Sequence, residues 1–146
     1  MFAFLKRQEK IDRRDIEQLI FDIAEHQREA DFHLLYKLMA GREVFVGINR
    51  ASLPTSIEPG VPYTTQASDR LEMKTVSIPN HGAWSSAATL ASHPLLAGSY
   101  VGMQWFDFLR MTRKVPELRG AALQGKTSWV AFDKERIAYV LAQSGA

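Results

Sequence analysis

Residues 12–30 place apolar side chains at Ile16, Leu19, Ile20, Ile23 and Ala24. Spacings of three and four predict an amphipathic helix with one apolar stripe. Asp12 stands where an N-cap belongs, and Asp15 adds a negative charge near the positive helix terminus. Asp31 then predicts the cap of a second helix with apolar positions Phe32, Leu34, Leu35, Leu38 and Met39. Gly41 sits where the chain leaves that helix in a left-handed conformation. The run Glu43-Val44-Phe45-Val46-Gly47-Ile48 is β-branched and apolar on both faces, which predicts a strand covered on both sides. Residues 49–62 contain Asn49, Pro54, Pro59, Gly60 and Pro62 and predict a long loop, with a short strand over 61–65 and a turn at Ser68 or Asp69.

The second half alternates periods. Leu71 to Ile78 leans towards strand through Thr75, Val76 and Ile78, and Pro79-Asn80-His81-Gly82 is turn chemistry. Ser85 or Ser86 caps a predicted short helix through Ala87, Ala88, Leu90 and Ala91, ended by Pro94. A strand over 99–104 precedes a helix over 105–111. The closing elements are a strand over 127–132 and a helix capped by Asp133, with Ile137, Val140 and Leu141 inward and Gly145 at its end. No repeat or linker divides the chain. The expectation is a single α+β domain over 1–146: a mixed, mostly antiparallel sheet with an N-terminal helical pair and flanking helices.

Composition narrows the chemistry. The 146 residues are 46% hydrophobic and 23% charged, with no cysteine and a net charge of +2. Without thiols there is no disulfide scaffold, cysteine nucleophile or cysteine zinc site. Met1 to Leu5 is apolar but short, and it precedes the charges of Lys6, Arg7, Glu9 and Lys10, the reverse of an export signal. Its rival reading, a short amphipathic membrane anchor, is weakened by those mixed charges. No apolar run reaches the roughly 18 residues of a membrane span. Cytoplasmic location and no membrane partner are the expectation.

The small net charge is a cancellation. Asp15, Glu17, Asp22, Glu25, Glu29 and Asp31 face one base, Arg28, within residues 15–31. On one continuous helix Asp15, Asp22, Glu25 and Glu29 project within about 80° of one another. This is either a solvated face or a docking surface for a basic partner. Bases gather at Lys6, Arg7, Lys10, Arg13 and Arg14, and at Arg110, Arg113, Lys114, Arg119 and Lys126. Trp105, Phe106, Phe108 and Trp129 lie near the second cluster but at core spacing, so base stacking and nucleic-acid binding are not expected. Opposed patches suit a protein partner. The candidate partner-binding residues are Asp15, Asp22, Glu25, Glu29, Trp84, Arg110 and Arg113.

Catalytic signatures are sparse. His26, His33, His81 and His93 form no His-x-x-x-His pair, and neither a metal nor another cofactor is expected. Gly120 to Thr127 matches the bare phosphate-loop pattern, yet it leads into a strand where that motif requires a helix. The alternative to a binding module is a small hydrolase or transferase using His81 with a carboxylate such as Glu72, the 49–62 loop acting as a lid.

Three stretches together resemble the N-terminal domain of the SseB (enhanced serine sensitivity) family. They are Phe32-His33-Leu34-Leu35-Tyr36-Lys37-Leu38-Met39 into Glu43-Val44-Phe45-Val46, then Val61-Pro62-Tyr63-Thr64-Thr65 with Ser68-Asp69-Arg70-Leu71, and a last one. That last one runs from Phe108-Leu109 through Gly120-Ala121-Ala122-Leu123-Gln124 to Trp129, Asp133-Lys134-Glu135 and Ile137. The likeness spans residues 30–143. It implies a small cytoplasmic α+β module without catalytic residues, of a kind associated with bacterial secretion or with toxin immunity.

Overall fold

The computed structural model describes residues 14–49, 73–97 and 99–143. The first helix, α1 (Ile16–His26), buries Ile16, Leu19, Ile20 and Ile23 as its stripe predicts. Ala24 is exposed instead. Its N-cap is Asp15, whose side chain accepts from the Gln18 N–H at 2.8 Å; Asp12 lies outside the described residues. The helix does not run on to residue 30. Gln27 takes a left-handed conformation, φ 50°, and returns its N–H to the Ile23 carbonyl. Two residues later α2 (Glu29–Met39) begins.

Asp31 does not cap α2. It lies inside the first turn with 5% exposure, and Arg28 holds the cap position without a side-chain bond. Arg14 reaches across with two donors, Nη1 to Asp22 Oδ2 of α1 at 3.0 Å and Nη2 to Asp31 Oδ1 at 2.8 Å. Phe32, Leu35 and Met39 are buried beneath, while Leu38 is exposed. Gly41 has φ +74°, as a residue just past a helix requires.

The sheet comprises β1 (Glu43–Gly47), β2 (Thr75–Ile78), β3 (Gly82–Ala88), β4 (Tyr100–Gln104), β5 (Leu118–Gln124) and β6 (Trp129–Asp133). Its order is β4-β1-β3-β5-β6, with β2 also paired to β3. All ladders are antiparallel except β3 with β5. Helix α3 (Trp105–Arg113) follows β4, and α4 (Lys134–Gln143) follows β6, with Asp133 accepting from the Arg136 N–H at 2.8 Å. Val44, Val46, Ala87, Ala121, Leu123, Val130 and Phe132 form the sheet side of the core. Trp105 and Phe108 of α3 and Ile137, Val140 and Leu141 of α4 close it. The architecture is α+β, with a mixed, mostly antiparallel sheet, an N-terminal helical pair and flanking helices.

Two expectations fail in the middle of the sheet. Ser85 and Ser86 cap no helix; residues 82–88 are strand β3, and Pro94 opens a 3-10 turn instead of ending a helix. Residues 118–124 form the unexpected strand β5. The Gly120–Thr127 motif therefore lies on a strand and the hairpin turn after it, which removes the phosphate-loop reading structurally. Strand β3 is rich in small residues and β5 has Gly120, Ala121 and Ala122 at its middle, and at the centre of the sheet Ala87, Ala88, Ala121 and Ala122 are buried. The local helix preference of alanine is overridden by that packing. At Gly120 an added Cβ would meet the Phe132 carbonyl oxygen at 2.1 Å and Trp84 Cζ3 at 2.7 Å. Apart from Asn49, the expected 49–62 loop, the 61–65 strand and the turn at 68–69 lie outside the described residues, as do Leu71, Glu72, Gly145 and residues 1–13.

Two substitutions test this construction. Arg14→Ala leaves a buried carboxylate facing Arg28 at 3.7 Å and is expected to lower the unfolding free energy by about 2 kcal/mol. Arg14→Ala combined with Asp31→Leu should lose less than the single change, and additive losses in urea melts would contradict the clamp. Gly120→Ala is expected to destabilise by about 2–3 kcal/mol, since backbone atoms must move to admit the methyl group.

Candidate functional site

An open groove of about 370 Å³ lies between α2 and α4, lined by Glu29, His33, Tyr36, Asp133, Glu135, Arg136 and Tyr139. Helical spacing builds each wall. Glu29, His33 and Tyr36 recur at four and three residues along α2, and Arg136 and Tyr139 are three apart on α4. Arg136 joins the walls. Its Nη2 donates to Glu29 Oε1 at 2.9 Å and its Nη1 to Glu29 Oε2 at 3.3 Å. Nη1 also donates to the Tyr36 hydroxyl oxygen, and Cζ sits 3.7 Å from the centroid of the Phe32 ring. The guanidinium is thus held by a carboxylate, a phenol and a ring face at once.

The rings form a connected series. His33 meets Tyr36 edge-on at 5.3 Å and Tyr139 at 5.8 Å, and the two tyrosines lie 6.1 Å apart. Tyr36 continues to Phe132 at 6.2 Å, and Phe132 packs edge-on to Trp105 at 5.3 Å. The groove wall is therefore anchored in the core, while Tyr139 keeps 43% of its surface exposed. Such edge-to-face arrangements hold ring orientation beyond their area burial.

Charge follows from this geometry. The hydrogen bonds from Arg136 hold the Glu29 carboxyl below the usual glutamate range. Burial pushes the Tyr36 phenol up, and the Arg136 donor opposes this only in part. Arg136 is held protonated chiefly by Glu29. Three carboxylates, Glu29, Asp133 and Glu135, stand against one guanidinium that is already engaged. Glu135 is exposed and has no ion pair among the described residues. His33 meets the Tyr36 and Tyr139 rings edge-on and adds a smaller electrostatic contribution to the lowering of the Glu29 carboxyl.

Of the seven residues singled out in the sequence, only Glu29 lines this groove. The break at Gln27 removes the continuous helix that would align Asp15, Asp22, Glu25 and Glu29 on one face. Asp15 caps α1, and Asp22 is bound by Arg14 and Gln18, which lower its carboxyl. Glu25 is exposed on α1. Trp84 is half-buried on β3 and donates Nε1–H to the His81 carbonyl at 3.0 Å. Arg110 pairs with Asp107 at 2.8 Å, and Arg113 is exposed at the end of α3. His81 is exposed in its turn and does not line the groove. Glu72, its suggested carboxylate, is outside the described residues.

The remaining lining residues lay in view as polar positions of two helices about a hundred residues apart. Their i,i+3 and i,i+4 spacing was the available signal, and nothing local shows that the two helices face each other. Among the described residues no cluster of three or more His, Asp or Glu side chains is placed to hold a metal ion.

The lowered Glu29 carboxyl gives a pH test. A depressed folded-state pKa contributes stability above the unfolded value, lost as pH falls through the folded one. The melting temperature should therefore fall between pH 5 and 3 more steeply in the parent chain than in Glu29→Gln. Identical slopes would show that the Glu29–Arg136 pair adds nothing to the docking of α2 on α4.

The chain matches no protein-family model, no curated protein and no solved structure.

Proposed function

We propose that this chain is a non-catalytic protein-binding module that takes a basic segment of a partner protein into the α2–α4 groove. The observation that carries the reading is the joining of exposed aromatic surface to excess carboxylate. Tyr139 offers a ring, Glu135 and Asp133 offer negative charge, and Arg136 is occupied by Glu29 and Tyr36. A lysine or arginine side chain entering the groove meets both a π face and a carboxylate, the two features that favour an organic cation over a neutral chain. Trp84 and the basic α3 residues Arg110 and Arg113, like the acidic α1 residues, act as steering charges and outlying contacts in this reading.

The SseB-like residue pattern supports the same reading and adds its setting. The module serves in the bacterial cytoplasm as an immunity protein or a secretion-associated adaptor, and its partner is a toxin or a secretion component. Nucleic acid and membrane are not its targets.

Peptides of matched length test the groove: one with alternating Arg and Gly, one with Glu in place of Arg. Titration should shift the Tyr139, His33 and Tyr36 side-chain resonances with the Arg peptide only. Tyr139→Ala should weaken that binding by about tenfold, within the range of a partly desolvated cation–π contact. Equal binding of the Glu peptide, or an unchanged affinity in Tyr139→Ala, would overturn the proposal.

A further inference from the structure

Strand β4 is an edge of the sheet, hydrogen-bonded only to β1 among the described residues. The direction of its backbone groups follows from the register. The Ile48 N–H donates to the Ser99 carbonyl at 3.1 Å, and the Trp105 N–H donates to the Arg42 carbonyl at 2.9 Å. Between them the pairs run without a bulge from Glu43 opposite Gln104 to Gly47 opposite Tyr100. Hydrogen-bonded and non-hydrogen-bonded pairs alternate along an antiparallel ladder. Val101 and Met103 therefore turn their N–H and C=O groups towards β1. Tyr100, Gly102 and Gln104 turn theirs outward, and all three residues are exposed.

Exposed edges are usually blunted by a charge, a proline or a bulge. The β4 segment Tyr100-Val101-Gly102-Met103-Gln104 has none of the three. Just beside it lies one specific charge. The exposed Glu43 of β1 folds its carboxylate over Gly102, with Oε2 2.7 Å from where a Cβ would stand. Among the described residues no cation pairs with it. Tyr100, on the same face, is held edge-on against Phe45 at 5.5 Å.

We propose that β4 accepts an extended segment of a partner protein as an added strand, with Lys or Arg opposite Gly102. A residue directly opposite Gly102 shows its side chain on the same face as the Glu43 carboxylate, within reach of it. Three outward N–H and C=O pairs supply sequence-independent affinity, and Glu43 selects the basic residue. A second copy of β4 does not meet this requirement, because the strand contains no basic residue in any register. The edge shares no residue with the α2–α4 groove, so either proposal can fail while the other stands.

The probes are two capped peptides, Thr-Val-Thr-Lys-Thr-Val-Thr and its counterpart with Glu at the centre, added to the full isotope-labelled chain. With the Lys peptide at about ten times its Kd, amide exchange at Tyr100, Gly102 and Gln104 should slow roughly tenfold. Val101 and Met103 should be unaffected. N-methylation of the peptide at alternate residues should abolish the protection in one phase and spare it in the other. Glu43→Lys should reverse the preference in favour of the Glu peptide. Should that variant not fold, the shape-preserving Glu43→Gln is expected to weaken Lys-peptide binding about threefold. Unchanged exchange at the three amides, or equal protection by both peptides, would overturn the proposal. So would protection of the three amides without peptide in a chain that sediments as a dimer, since the occupant would then be a second copy.

Discussion

The arrangement depends first on a carboxylate buried where a helix should be greasy. Asp31 lies in α2 with 5% exposure, and a lone charge there would be costly. Arg14 offsets part of that cost by bridging Asp31 Oδ1 to Asp22 of α1. The bridge can form only if the chain reverses at Gln27, because on one straight helix Asp22 and Asp31 would be roughly 13 Å apart along the axis. The break and the ion pair are thus two views of one constraint. Together they bring the Ile16–Ile23 stripe and the Phe32–Met39 stripe onto the same core.

Everything at the groove inherits this geometry. The reversal presents the outer side of α2, with Glu29, His33 and Tyr36, to α4, where Arg136 ties the two walls together. The ring series from Tyr139 through Tyr36 and Phe132 to Trp105 links a surface aromatic to the deepest part of the core. Among the described residues two buried polar atoms have no hydrogen-bond partner: Asp31 Oδ2, which the Arg28 guanidinium approaches at 3.7 Å, and the indole Nε1–H of Trp105. A buried, unmet donor of this kind costs about 1–3 kcal/mol, offset here by the apolar area of the indole packed on Phe108 and Phe132.

A second anchoring acts at the other side of α1. Glu17 accepts from the Lys126 N–H and from the Thr89 hydroxyl, fixing the β5–β6 turn against the helix. His93 helps from below: the Leu95 N–H donates to Nδ1, so Nε2 carries the proton and donates to the Gly125 carbonyl. Charges that in the sequence look free for a partner are thus partly engaged inside the molecule. Asp15, Glu17, Asp22, Glu29 and Asp31 each have a structural role, and the acidic helix reads differently once these are counted.

Periodicity and capping chemistry determined much on their own: the inward stripe of α1, the strand that begins at Glu43, the turn within Pro79–Gly82, the strand ending at Gln104, and α4 with its Asp133 cap. These features are legible because the controlling interactions span only three or four residues. Tertiary structure alone decided the rest. Strand β3 and the Gly120–Ala122 middle of β5 have no local strand preference, and they extend because they pair at the centre of the sheet. Asp31 looks like a cap until Arg14, just ahead of α1, reaches across to it. The groove pairs residues 29–36 with 133–139, and β4, paired only with β1 among the described residues, is an edge only once the sheet has assembled. Contacts between residues so far apart leave no spacing in the sequence, since what selects them is the packing of the folded chain.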